Sequence, residues 1–188
     1  MNQKKGLIIS IYSEDREEHQ HELETSLSKD FENFDFLKLD SADTIYESPQ
    51  VIAEGYDYAR EHGYEFVGRI DDDDLVVPGA YTLLMKLLHA KPKAHGFSGV
   101  QKQFKGSPRP FELDQNSSIS FNPYYHYFHG ITLYRTTALY PTVDQWRDML
   151  VRDQHRLLAK MMMQSGKTLG FINTPISYLR LRDSEGNY

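Results

Sequence analysis

Four consecutive aspartates, Asp71 to Asp74, stand in the segment RIDDDDLVVP, residues 69–78. An acidic run taken alone reads as a solvated loop. Its setting argues for more. The run follows YEFVGRI (64–70), a strand-like stretch, and precedes a helix signal at Pro78. In open α/β sheets, ligands bind beyond the carboxyl ends of strands. Two carboxylates about 6 Å apart also repel by roughly 3 kcal/mol at an effective dielectric of 20. A divalent cation removes that repulsion and prefers oxygen ligands. Other chemistries fit less well. A phosphatase working through an aspartyl phosphate would carry its DxD after the first strand, which here closes with Tyr12-Ser13. Neither GxxxxGK[ST] nor GxGxxG occurs. A two-metal nuclease would need further spaced acids or histidines, and no convincing set is present. What is left is a metal holding a nucleotide diphosphate against the end of a sheet.

The surrounding elements must put the run there. LIISIY (7–12) and FDFLKL (34–39) read as buried strands. Ser13 is placed to cap a following helix, with Glu14 and Asp15 near its positive end. Ser48-Pro49 opens a helix whose inner face is Ile52, Tyr56 and Ala59, stopping near Gly63. Pro78 opens another, with Ala80, Leu83, Leu84, Leu87 and Leu88 at helical spacing. HGFSGVQ (95–101) predicts a fourth strand. Residues 102–128 carry Gly106, Pro108, Pro110 and Asn116 with little periodicity, and read as a long loop of the kind that is often functional. HGITLY (129–134) predicts a strand, 151–164 a helix, and TLGFI (168–172) and PISYLR (175–180) two short strands. Strands separated by helices imply an α/β fold with parallel pairing. No repeat or linker divides the chain, so one domain is expected.

Composition narrows the class. The chain has 188 residues with 27 acids against 21 lysines and arginines, a net charge of −6. That balance disfavours a non-specific nucleic-acid binder, which needs cations to displace counterions. Cysteine is absent, which excludes disulfides, thiol nucleophiles and cysteine zinc sites. No apolar run approaches the ~20 residues of a membrane span. The N-terminal apolar stretch meets acids right after Tyr12 and is too short for a secretion signal. A cytoplasmic location is expected.

With these segments in view, the chain resembles the family 2 glycosyltransferases. Asp71 to Asp74 followed by Leu75-Val76-Val77-Pro78 is similar to their DxD element and its Pro-started helix. Ser10-Ile11-Tyr12, FDFLKLDSAD (34–43), EGYDYAREHGYEFVGRIDDDD, HGITLYR (129–135) and GKTLGFINTPISYLRLRDS extend the likeness over nearly the whole chain. The resemblance implies a single GT-A type, Rossmann-like α/β domain, with a mostly parallel central sheet flanked by helices. Residues 1–101 would bind the nucleotide-sugar, and 102–188 would face the acceptor. It implies an inverting transferase moving a hexosyl or deoxyhexosyl group from a nucleotide-diphospho-sugar to a hydroxyl of a glycan or glycoconjugate. A divalent metal, Mn2+ or Mg2+, would be required. Carried over by position, Asp73 is the direct metal ligand with Asp71 beside it, and Asp71 and Asp72 meet the donor ribose or metal-bound water. Ser10, Tyr12 and Asp40 line the nucleotide pocket, Arg180 and Arg182 meet the diphosphate, and Asp153 is the general base. The chain ends where the core family pattern ends, which implies a minimal catalytic domain.

The likeness has departures. Asp40-Ser41 stands where two consecutive acids are usual, Arg152 where an acid precedes the catalytic aspartate, and Arg182 where the tail motif has histidine. No QxxRW follows Asp153, which argues against a processive polysaccharide synthase. Two other classes stand beside the transferase. A sugar nucleotidyltransferase would carry a basic, Gly-rich loop after the first strand, where SIYSEDREE is acidic. A non-catalytic binding module would tolerate Ser41 and Arg152. Elsewhere, His126 and His129 have a metal-compatible spacing but an aromatic setting that suggests packing. His129-Gly130 could instead border the donor sugar. Trp146 could stack on a sugar face, with core or surface packing the expected role; Met161 to Met163 read as core, and Lys4 and Lys5 as a solvated start.

Overall fold

Leu7, Ile8 and Ile9 are all buried, but they belong to two different cores. Successive side chains of a strand point to opposite faces. Strand β1 (Gly6–Tyr12) is therefore covered on both sides, as its unbroken apolar run requires. In the computed structural model, which describes residues 5–12, 16–40, 48–105, 108–149 and 154–181, β1 pairs in parallel with β2 (Phe34–Asp40) and with β3 (Phe66–Arg69). Two-residue strand β4 (Leu75–Val76), long β5 (Gly96–Phe104), β6 (Ile119–Phe121), β7 (Thr132–Arg135) and β8 (Leu169–Arg180) complete one sheet. The order is β2-β1-β3-β7-β5-β8-β4, with β6 also paired to β8.

Helices cover both faces. Leu23 of α1 (Glu17–Ser26) and Leu83, Leu84 and Leu88 of α3 (Ala80–Ala90) pack with Ile8. Ile52, Tyr56 and Ala59 of α2 (Ser48–Glu61) pack with Leu7 and Ile9. They are joined there by Val143 and Trp146 of α4 (Thr142–Trp146) and by Leu158, Ala159 and Met162 of α5 (Gln154–Gln164). Trp146 is fully buried, and Met161 and Met163 flank the same core.

The expected α/β architecture is present, and the sheet is mixed. β1-β2, β1-β3 and β5-β8 are parallel, whereas β7 runs antiparallel to both β3 and β5. Parallel neighbours need a crossover. The chain leaves β5 and re-enters as β7 from the same end of the sheet, with no α-helix among the described residues in between, so β7 is reversed. The expected loop 102–128 is accordingly partly ordered: β5 runs on to Phe104, β6 pairs with β8, and Tyr125–Tyr127 form a 3-10 turn. The two expected strands 168–172 and 175–180 form the single strand β8, because Pro175 falls at a register irregularity against Val100, where proline is tolerated. Pro78 does not itself begin α3. Gly79 precedes the helix at φ +88°, a left-handed conformation that favours glycine. Its N–H and that of Thr82 donate to the Asp30 carboxylate at 3.1 and 2.8 Å. The expected cap at Ser13 with Glu14 and Asp15, and Lys4, lie outside the described residues.

One consequence positions the site. The C-terminal end of β3 and the start of β7 meet, since Thr132 is opposite Arg69, and β5 runs on beyond this point from Ser98, the other partner of Thr132. β8 arrives at the same end, where Tyr178 is opposite Leu75.

Candidate active site

The four aspartates leave β3 as a tight turn, in which the Asp74 N–H donates to the Asp71 carbonyl at 3.2 Å. Tyr81 of α3 packs beneath: its hydroxyl donates to the Arg69 carbonyl at 2.8 Å, and a Cβ at Gly68 would lie 2.5 Å from its ring. The turn thus sits on a rigid floor, and its carboxylates fan out to different partners.

Asp71 pairs with Arg69, whose Nη2 donates at 2.5 Å, and its other oxygen lies 3.6 Å from His155 Nε2. Protein atoms crowding Asp71 work against its charge, although half of the side chain stays open. Arg69 and His155 outweigh that and hold the carboxyl well below the usual carboxylate range. Asp72 is buried, and Arg16 Nη1 donates to its Oδ1 at 2.8 Å. Its Oδ2 is buried without a hydrogen-bond partner, and burial raises its pKa against the pull of Arg16. The same Arg16 nitrogen lies 3.5 Å from Asp73 Oδ2. Asp74 is buried between Gln101 Nε2 (3.0 Å) and the Arg180 N–H (3.2 Å). Burial first, then Asp71 and Asp73, push its pKa up to about 8.

Beside Asp72 a small cleft, with a cavity volume of about 10 Å3, opens at the carboxyl ends of β1 and β2, lined by Ser10, Tyr12, Gln20, Leu23, Phe36, Lys38 and Asp72. Ser10 is 4% exposed and its Oγ has no hydrogen-bond partner. Buried polar atoms are almost always paired. Two of the residues lining this cleft thus carry a buried polar atom without a partner. Lys38 Nζ lies 5.6 Å from the Tyr12 ring centroid.

Of the residues singled out from sequence, Ser10, Tyr12 and Asp72 line this cleft together. Asp71, Asp73 and Asp74 adjoin it through the turn. Asp40 is exposed at the end of β2, opposite Tyr12 in the register. Arg180 reaches the run from β8: its Nε donates to the Asp73 carbonyl at 3.1 Å, its guanidinium stacks over Phe104, and Nη2 meets Glu22. Asp153, with its neighbour Arg152, and Arg182 and Ser41 lie outside the described residues. Gln154 and His155, which directly follow Asp153, face the acid run. Gln154 accepts from Arg69 Nη1 at 3.2 Å, and burial, then Arg69, lowers the His155 pKa. His129 is half-buried with Nδ1 unpartnered, and His126 stacks on Tyr124 and Tyr125. Gly130 abuts Ser177 and Gln101.

Sequence reasoning missed Arg16, Arg69, Gln101 and His155. Arg69 had a visible signal, a cation inside an otherwise apolar strand. The other three are brought to the run by tertiary contacts alone.

The strand order, the crossing helices and the acidic turn at the sheet's carboxyl edge define the GT-A type of Rossmann-like fold. Among solved structures, the chain is similar to S. aureus TarS residues 1–349 in complex with UDP-GlcNAc, at TM-score 0.62 and 15% identity, covering 99% of this chain and 62% of that one. It is also similar to a second S. aureus TarS structure, at TM-score 0.59 and 15% identity, covering 94% of this chain and 37% of that one. The chain thus spans less than two thirds of either. No protein-family model and no curated protein matches the sequence.

Proposed function

We propose that this chain is a metal-dependent, inverting glycosyltransferase that moves a hexosyl or deoxyhexosyl group from a nucleotide-diphospho-sugar to a hydroxyl of a glycan or glycoconjugate. The observation that carries the reading is the cleft at the ends of β1 and β2, where Ser10 Oγ and Asp72 Oδ2 lie buried without partners beside three further aspartates. The similar fold bound to UDP-GlcNAc supports it.

The residues fit a hard divalent cation such as Mn2+ or Mg2+. Carboxylate oxygens are its preferred ligands, and one carboxylate oxygen here is buried with no partner. Among the described residues no three His, Cys, Asp or Glu side chains form a closed metal cage. That suits a cation held by one or two carboxylates, with phosphate oxygens and water completing its shell. Asp73, with Asp71 beside it, would hold the ion, which when bound neutralises the diphosphate leaving group. Ser10, Tyr12, Asp40 and Asp72 would bind the nucleoside, and Arg180 and Arg182 the diphosphate. Asp153 would take the proton of the acceptor hydroxyl as general base, on the face opposite the leaving group, which gives inversion. Holding both substrates at one edge of the sheet supplies alignment.

A thermal-shift screen of nucleotide-sugars with and without manganese tests the reading, since a ligand of the folded state raises stability by mass action. Manganese-dependent stabilisation by one nucleotide class is expected, and Asp73→Ala should abolish it. Asp153→Asn should lower transfer by about 10²- to 10⁴-fold, the usual worth of a general base, with donor binding kept. Full turnover in that variant would remove Asp153 from the role.

A further inference from the structure

Arg16 stands at the entrance to α1, where a cation is poorly placed. The positive end of a helix dipole favours anions, and Arg16 is followed there by Glu17 and Glu18. Its side chain is not used to cap the helix. Instead one guanidinium nitrogen reaches across 56 residues of sequence to Asp72, and the same nitrogen is shared with Asp73. Arg16 keeps 23% of its side-chain surface, whereas the Asp72 side chain keeps 7%. The cation thus sits on the open side of the buried acid. Asp72 Oδ2, facing the same cleft as the unpartnered Ser10 Oγ, is left without a hydrogen bond.

Resting on the transferase reading above, we propose that Arg16 is a resident counter-ion and positioning residue. Without donor it holds Asp72 and Asp73. With a divalent cation held by Asp73 and Asp71, Arg16 would give up its share of Asp73 and pass to the donor's diphosphate. Two features favour this exchange. A guanidinium and a divalent cation cannot share the same carboxylates without strong mutual repulsion. And the guanidinium fork released by the exchange matches phosphate oxygens as well as it matches a carboxylate. The resident pairing also offsets part of the repulsion among the four acids. Arg69, Arg16 and Arg180 each touch the run, and of these Arg16 is the one on the cleft-side acid.

The proposal predicts opposite effects on two titrations of the intact chain. Manganese alone competes with Arg16, so Arg16→Gln should bind it about tenfold more tightly than wild type, the lower end for losing one charge-assisted hydrogen bond. Manganese with UDP uses Arg16, so the gain from adding UDP should shrink in Arg16→Gln by a similar factor. Arg16→Lys keeps the charge and should bind manganese alone as wild type does, while recovering only part of the UDP gain. Both titrations are read by calorimetry, with circular dichroism confirming the fold of each variant. Unchanged or weaker binding of manganese alone in Arg16→Gln overturns the exchange. So does an Arg16→Lys variant indistinguishable from Arg16→Gln. If wild type binds manganese with UDP and only the variant effects are missing, the transferase reading stands and the role of Arg16 falls. If wild type binds neither manganese nor any of UDP, GDP, ADP and CDP, both fall together.

Discussion

Two carboxylate clusters in this molecule use the same side chains to opposite ends. On the α2–α4 side, Asp57 accepts from the Tyr140 hydroxyl at 2.7 Å, from Arg147 at 2.9 Å and from Arg60 at 3.1 Å. Burial works against its charge, but Tyr140 and the two arginines outweigh it, and its pKa is lowered. Arg60 also stacks on the Tyr140 ring, 4.0 Å from its centroid. One acid here meets three donors, and both of its oxygens are used. At the carboxyl edge of the sheet the ratio is reversed. Four acids share the guanidinium groups of Arg69 and Arg16, Asp74 is pushed up to about 8, and Asp72 Oδ2 has no partner. At Asp57 both carboxylate oxygens are paired and the atom left over is a donor, Arg147 Nε. At the acidic turn the atom left over is an acceptor, which is what the proposed ligand would complete, because an unpaired buried polar group is expensive.

That contrast can be broken by measurement. The largest effect is expected at Arg69, the buried cation that joins Asp71 to Gln154. Arg69→Met should cost about 2–3 kcal/mol, the upper part of the range for charge-assisted hydrogen bonds, held below the fully buried value because half of the Asp71 side chain stays open, read by urea denaturation. A loss under 1 kcal/mol would show that Asp71 does not need it. Next comes Asp57→Asn, which leaves Arg147 and Arg60 without their carboxylate and should cost about 1–3 kcal/mol at pH 7. Its pH signature is specific. Because folding lowers the Asp57 pKa, its contribution is present above about pH 4 and is lost as pH falls through the folded-state value. The wild type should therefore lose its advantage over Asp57→Asn in acid; a gap independent of pH would contradict the assignment. The smallest effect is expected at Asp74→Asn in metal-free protein. The amide oxygen can keep the bond from the Arg180 N–H, Gln101 can turn its own oxygen to the new NH2, and repulsion from Asp71 and Asp73 is relieved. Stability within about 1 kcal/mol of wild type is expected. A loss as large as that of Asp57→Asn would erase the distinction between the two clusters.

Much of the frame was legible in the residues. LIISIY declared a strand buried on both faces, the leucine stripe of α3 declared its inner face, and the four aspartates after YEFVGRI declared an acidic turn at the end of β3. Other features were not legible. The reversal of β7 follows from a return path through irregular chain that has no period to read. The fusion of 168–172 with 175–180 hid behind Pro175, which only a register shift against β5 accommodates. The partners of the acids come from far away in sequence: Arg16 from the entrance to α1, Gln101 from β5, His155 from α5 and Arg180 from β8.

The sequence by itself determined which residues are apolar at strand and helix spacing, and hence the alternating α/β plan and the place of the acidic turn. Those are local properties, set by periodicity and by backbone preference. The tertiary structure alone decided how Asp71, Asp72 and Asp74 are charged. Protonation depends on burial and on cations within a few ångströms, and here those cations arrive from strands and helices that meet only when the sheet is assembled.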